Sequence, residues 1–190
     1  HVDRLYRSLR HVRIDPGLSP DEMYEASEEA IRRNEGERGE AGDWHIWQTV
    51  TRGIAGWRQL EATPTVMIQV FPVPFNLYGH MFKEGAHGVI TKTRSYSPEM
   101  LDPKVKHYSR MNFNLAELEA RDIDPEGWPI MTDANGNITE GTAYNVFIVS
   151  NGVIRTAGDS SLLQGISRGA VVEVAERLGI PVMTEELQPY

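Results

Sequence analysis

Apolar positions recur every three or four residues in two early segments and then switch to alternation, so the chain reads as helices followed by strands. "HVDRLYRSLRHV" places Val2, Leu5, Leu9 and Val12 on one helical face. "SPDEMYEASEEAIRRNEG" carries Met23, Ala26, Ala30 and Ile31 at helical spacing. Ser19 is its N-cap, Pro20 its first helical residue, Glu22 the reciprocal partner of a capping box and Gly36 its stop. From Trp44 to Gly53 apolar and polar residues alternate, and Thr65 to Val73 is almost continuously apolar, which predicts two strands. "AHGVITKTRSY" begins another.

The pattern is more regular further on. Arg110 to Ala120 reads as a helix, with Met111, Leu115 and Leu118 recurring at helical spacing. "WPIMTDANGNITEGTAYNVFIVSNGVIRT" predicts strand, turn, strand, turn, strand, because the Asn-Gly pairs in "DANGN" and "SNG" supply the positive φ that tight hairpins need. "GISRGAVVEVAERLG" predicts a helix that buries Ile166, Ala170, Val171, Val174 and Leu178 and stops at Gly179, and "IPVMTEEL" opens a further strand. The fold class is therefore α+β (mixed α/β), without internal repeats. A boundary is expected near Gly79–Glu84, where glycine and charge accumulate: a small α/β domain over 1–79, a connector over 80–84 and a larger domain over 85–190.

Composition narrows the class. The 190 residues are 40% hydrophobic and 24% charged, enough to build a core and ordinary for a soluble domain. A net charge of −8 without a basic stripe argues against nucleic acid as a partner. No apolar run reaches the length of a membrane span, so no membrane partner is expected. Cysteine is absent, which removes disulfides, thiolate nucleophiles and cysteine metal sites, and the six histidines show no ligand spacing, so no metal is expected. The expected location is cytoplasmic.

Three stretches carry candidate chemistry. In "LLQGISRG", a glycine followed by a hydroxyl residue at a helix start directs free backbone N–H groups, the helix dipole and the Ser167 hydroxyl toward one anion-sized space. In "TEGTAYNVF", Glu140 enters an apolar strand, where a carboxylate needs a cationic or N–H partner. In "DPKVKHYSR", Lys104 and Lys106 precede a helix. Read singly, these are a helix cap, a structural glutamate and surface lysines. Together they are the parts that pyridoxal phosphate requires: a lysine for its aldehyde, a carboxylate for its pyridine nitrogen and a helix end for its phosphate.

The ordered series "HVDRLYRSLR", "TRG", "DPKVKHY", Glu119–Ala120, "DANGNITEGTAYNVFIV", "NGVIRT" and "LLQGISR" resembles the class IV aminotransferases across essentially the whole chain. These are the fold type IV pyridoxal-phosphate enzymes: branched-chain amino-acid, D-amino-acid and (R)-amine transaminases. The resemblance implies a two-domain fold, here without the N-terminal strands and the C-terminal segment of family members, so the chain is expected to be an excerpt of a longer polypeptide. It implies pyridoxal 5'-phosphate as cofactor. It also selects Lys106 over Lys104 as the Schiff-base lysine, from the family's spacing back from Ala120. Glu140 is then the partner of the pyridine nitrogen, and Arg4, Ile166 and Ser167 bind phosphate.

The resemblance further implies transfer of an amino group from a branched-chain amino acid to a 2-oxo acid such as 2-oxoglutarate, by a homodimer or larger homo-oligomer. The "DPKVK" pattern of the (R)-amine branch and the missing Asn-Tyr favour a runner-up, a D-amino-acid or (R)-amine transaminase using pyruvate. Arg110 and Met111 stand where branched-chain members carry Asn-Tyr, Trp47 or Gln48 stands where they tend to carry an arginine, and Arg58 looks like an arginine of the (R)-amine branch. A reading of another class is a truncated, non-catalytic chain.

Overall fold

Ser19 sets the first long helix by the chemistry its sequence predicts. Its hydroxyl accepts from the Glu22 N–H at 3.2 Å, while Glu22 Oε2 accepts from the Ser19 N–H at 2.7 Å, and α2 (Pro20–Asn34) follows. Before it, α1 (Val2–Val12) ends at Arg13 in the left-handed region and buries Leu9 together with Ser8. The computed structural model describes residues 1–38, 42–54, 57 and 62–189, in two units, His1–Gly85 and Ala86–Tyr190.

In the first unit, β1 (Trp44–Thr51) and β2 (Thr65–Pro72) pair antiparallel in unbroken register from Trp44↔Pro72 to Thr51↔Thr65. Helix α2 packs on this ribbon, with Met23 fully buried and Gln48 Nε2 donating to Ser27 Oγ at 2.7 Å. The unit closes with two short helices, α3 (Phe75–Tyr78) and α4 (Met81–Glu84), so the stretch expected as a connector is itself largely helical.

The second unit holds two three-stranded sheets. In the first, β3 (His87–Arg94) runs parallel to β4 (Gly127–Thr132), joined by α5 (Met111–Ile123), and β5 (Ile138–Gly141) pairs antiparallel to β4. In the second, β6 (Phe147–Ser150) and β7 (Val153–Thr156) form a hairpin turning at Asn151 and Gly152, both at positive φ. Helix α6 (Ile166–Arg177) then leads to β8 (Val182–Thr184), parallel to β7. Parallel neighbours need a crossover, and a helix supplies it each time.

Two expectations are corrected. "ITEGTAYNVFIV" is not one strand but two, β5 and β6, in different sheets. Tyr144 folds back between them: its ring lies against Gly141, where a Cβ would run into it, and its hydroxyl donates to the Pro129 carbonyl at 2.7 Å. On α5, Met111, Leu115 and Leu118 are exposed, while Phe113, Ala116 and Ala120 are buried against β3 and β4; Phe113 and Ala116 cluster with Met131 and Tyr96. On α6, Ile166, Val171, Val174 and Leu178 are exposed rather than buried. Ala170, Val171, Val174, Ala175 and Leu178 instead line an open apolar groove of about 320 Å³ with Ile154 and Ile180. A helical stripe reports apolar character, not which face has a neighbour.

Glu119 joins helix to sheet. Its carboxylate accepts from the backbone N–H groups of Lys92 and Thr93 (2.6 and 2.9 Å) and from the Thr93 hydroxyl (2.8 Å), where the β3–β4 register shifts and the ladder cannot serve those donors. Glu119→Ala leaves two backbone donors unpaired and is expected to destabilise the chain by about 2 kcal/mol. Urea unfolding measures this, and a change near zero would show that solvent replaces the carboxylate.

Candidate active site

The site grows from the end of β5. Glu140 is buried, since β5 is buried along its whole length. The residues after it make a tight loop closed by a bridge between Glu140 and Asn145. That loop brings the Asn145 amide back to the carboxylate, with Nδ2 at 3.4 Å from Oε2 and 3.0 Å from the Leu163 carbonyl. The Leu163 N–H donates to the same Oε2 at 3.1 Å. Both bonds fall on Oε2, and Oε1 accepts none among the described residues.

Burial dominates the electrostatics. It raises the Glu140 carboxyl from its ordinary value to about 7, against the Leu163 N–H and the positive charges of Lys106 and Arg110, which pull it down. Lys106 is exposed, on the loop between β3 and α5, and its charge acts on both Glu140 and His107. Lys104 is engaged elsewhere, with its ammonium 3.2 Å from Asp102 Oδ1. His107 is pushed down by its own partial burial and then by Arg110 and Lys106.

The same carboxylate is tied to the start of α6. Leu163 lies just before Gly165, the N-cap of α6, which has no side-chain capping bond. A Cβ at Gly165 would run into Asn145 Oδ1, so only glycine permits this approach. Ile166 and Ser167, both exposed, open the helix. Behind them Arg168 is buried, donating to the Ala157 carbonyl at 2.9 Å and pairing with Asp159 at 2.8 Å, and so anchors the helix start to the end of β7.

Lys106, Glu140, Ile166 and Ser167 thus all lie in the second unit, with Glu140 linked to both the lysine loop and the helix start. Arg4 lies in the first unit, on α1, half-buried, with its pKa lowered by burial and by neighbouring Arg7. Arg58 lies outside the described residues. Sequence reasoning missed Asn145, Leu163 and Arg168. The proximity of "TAYN" to "LLQG" across the fold has no local signal, although a buried carboxylate followed by a short loop with an asparagine was available as a clue. Among the described residues no cluster of histidine, aspartate and glutamate could hold a metal ion, and no helix is long and apolar enough to cross a membrane.

An exposed lysine loop whose charge acts on a buried carboxylate, and a helix start tied to that same carboxylate, thus belong to one unit of a mixed α/β scaffold. The family model for amino-transferase class IV matches residues 1–190, and the chain belongs to that family. It is 33% identical over 192 residues to a Methanocaldococcus jannaschii protein named "Putative branched-chain-amino-acid aminotransferase", covering 98% of this chain and 63% of that relative. It is 28% identical to the Escherichia coli branched-chain-amino-acid aminotransferase, covering 60% of it. Among solved structures, the Escherichia coli branched-chain amino acid aminotransferase superposes at a TM-score of 0.90 with 28% identity, over 100% of this chain and 62% of that one. Another branched-chain amino acid aminotransferase, solved in complex with N-(5'-phosphopyridoxyl)-L-glutamate, superposes at 0.87 with 26% identity, over 100% and 60%. The fold is that of the fold type IV enzymes, and the chain spans less than two thirds of the length of these curated relatives.

The raised Glu140 carboxyl has a consequence for stability. Its folded value, about 7, lies above its ordinary value of 4.5, so the native state holds the proton more tightly than the unfolded chain does. This contribution is fully present below pH 4.5 and is lost as pH rises through 7. The stability difference between wild type and Glu140→Gln, from urea unfolding of the ligand-free chain, should therefore fall by on the order of 3 kcal/mol over that interval. A pH-independent difference would show that the carboxyl titrates normally.

Proposed function

We propose that the protein carrying this chain is a pyridoxal-phosphate-dependent aminotransferase that moves the amino group of a branched-chain amino acid to a 2-oxo acid such as 2-oxoglutarate. The observation that carries the reading is Glu140: a buried carboxylate with one oxygen already satisfied, held uncharged up to about pH 7 by desolvation and open to a cationic partner. The residues present fit the group. Oε1 suits a protonated ring nitrogen, the α6 start suits a phosphate, and the loop lysine suits an aldehyde. Support for the substrate comes from the relatives, which are named as branched-chain aminotransferases.

When bound, pyridoxal phosphate supplies an aldehyde that condenses with amines and a ring that accepts the electron pair left at the substrate carbon. Lys106 Nζ would hold that aldehyde, and as a free amine it would take the proton from the substrate carbon that bears the amino group. A lysine can do this when its environment favours the neutral amine, and nearby positive charge works in that direction. Glu140 Oε1 would hold a proton at the ring nitrogen and so keep the ring electron-poor, while Leu163 and Asn145 fix the carboxylate through Oε2. The backbone N–H groups of Ile166 and Ser167 and the Ser167 hydroxyl bind phosphate at the positive end of the α6 dipole. Arg4, on α1 in the first unit, is a proposed phosphate ligand on the sequence resemblance alone. On this reading Ala86–Tyr190 is the cofactor-binding part, the enzyme works as a homo-oligomer and the reaction takes place in the cytoplasm.

One observation favours the runner-up. Arg110 and Met111 replace the Asn-Tyr pair of branched-chain members, and Met111 is 73% exposed, unable to stand in for a hydrogen-bonding tyrosine. The test separates both questions. Borohydride reduction with pyridoxal phosphate, followed by peptide fragmentation, should place the pyridoxyl group on Lys106; Lys104→Ala should keep it and Lys106→Ala should lose it. Label on Lys104 overturns the assignment. Leucine with 2-oxoglutarate should turn over faster than (R)-1-phenylethylamine with pyruvate, and the reverse order would install the amine reading.

A further inference from the structure

Arg110 is unused by the mechanism above, yet it touches both halves of the site. It is the N-cap residue of α5, at the end of the loop that carries Lys106. Its Nη2 donates to the carbonyl of Thr142, just beyond Glu140 on the other strand-and-loop segment. Its guanidinium carbon sits 4.1 Å from the centroid of the Phe113 ring, and Phe113 is part of the core, so the side chain cannot swing away without losing that stack. A second tie runs in parallel, because the Thr142 hydroxyl donates to Glu117 on α5. The residues between Lys106 and Arg110 are held as well: the Tyr96 hydroxyl donates to the Ser109 carbonyl at 2.8 Å, and the Ser109 N–H donates to His107 Nδ1 at 3.2 Å.

We propose that Arg110 is a positioning residue that ties the lysine loop to the Glu140 strand and keeps a permanent positive charge at that junction. The proposal rests on the aminotransferase reading for its functional meaning. Among the described residues, the Leu163 N–H and the Asn145 amide bond Glu140, and the charges of Lys106 and Arg110 act on it. Only two of them carry charge, and they differ in kind. The lysine amine changes its protonation as it bonds an aldehyde and moves a proton. A guanidinium stays protonated throughout. Arg110 is therefore the constant cation beside the buried carboxylate, acting when the lysine's charge is absent. Its hydrogen bond to Thr142 and its stack on Phe113 hold it in place.

The test is an NMR titration of the ligand-free chain, with the Glu140 carboxyl carbon observed and a backbone amide spectrum to verify folding. In Arg110→Gln the Glu140 midpoint should rise by on the order of one pH unit, the usual effect of removing a nearby opposite charge. Arg110→Lys, which keeps the charge, should restore most of the wild-type midpoint. An unchanged midpoint in folded Arg110→Gln overturns the proposal. Should that variant not fold, the wild type alone decides: the Arg110 guanidinium nitrogen signals should shift with the Glu140 midpoint, and signals that ignore it overturn the proposal equally. No cofactor enters this titration. Failure of the wild-type protein to bind pyridoxal phosphate would instead sink the aminotransferase reading, with the Arg110–Glu140 coupling standing or falling by the titration.

Discussion

A carboxylate buried at the end of a strand constrains everything around it. Removing Glu140 from water costs several kcal/mol in its ionised form, so the fold must either protonate it or surround it with donors and cations. The chain does part of each. The Leu163 N–H and the Asn145 amide satisfy one oxygen, Lys106 and Arg110 supply positive charge, and the residual penalty appears as a carboxyl raised to about 7. These partners come from three stretches: the loop before α6, the turn after β5, and the loop before α5 that ends at its N-cap. Satisfying one side chain thus draws together three stretches, two of them distant from Glu140 in sequence.

The architecture serves that convergence. Parallel pairing of β3 with β4 and of β7 with β8 requires crossover helices, and both helix starts face the functional segments: α5 begins at Arg110, α6 at Gly165. The fold-back at Tyr144 breaks what would otherwise be a single long strand, and the break delivers Asn145 to the carboxylate. Two glycines make this possible by close approach: Gly141 beneath the Tyr144 ring and Gly165 against the Asn145 amide. Either position with a Cβ would force the loop open. A local packing requirement is in this way coupled to the chemistry of the site.

Much of the local structure was legible in the sequence because it depends on neighbours in the chain. The Ser19–Glu22 capping box, the two Asn-Gly turns and the strand periods of β1 to β4 are short-range physics, and the structure has them. The candidate site residues of the second unit were legible for a different reason, the resemblance of an ordered series of motifs. What depends on three-dimensional neighbours was not legible. The apolar stripe of α6 predicts burial, but only a partner surface can bury it, and among the described residues that face lines an open groove. Likewise "ITEGTAYNVFIV" has an unbroken strand pattern, and the reason for its break, the Tyr144 hydroxyl reaching Pro129, lies fifteen residues away. Arg110 reads as a departure from the family pattern, and its hydrogen bond to the Thr142 carbonyl, which links the start of α5 to the turn after β5, has no local signal.

The proposed role of the buried Glu140 is to face a protonated nitrogen. The most direct measurement is the ¹⁵N spectrum of ring-labelled pyridoxal phosphate bound to the protein that carries this chain, in wild type and in Glu140→Gln, at a pH above the carboxyl's midpoint. The account predicts a protonated ring nitrogen in the wild type and an unprotonated one in the variant. A ring nitrogen that is unprotonated in both, or protonated in both, would contradict it.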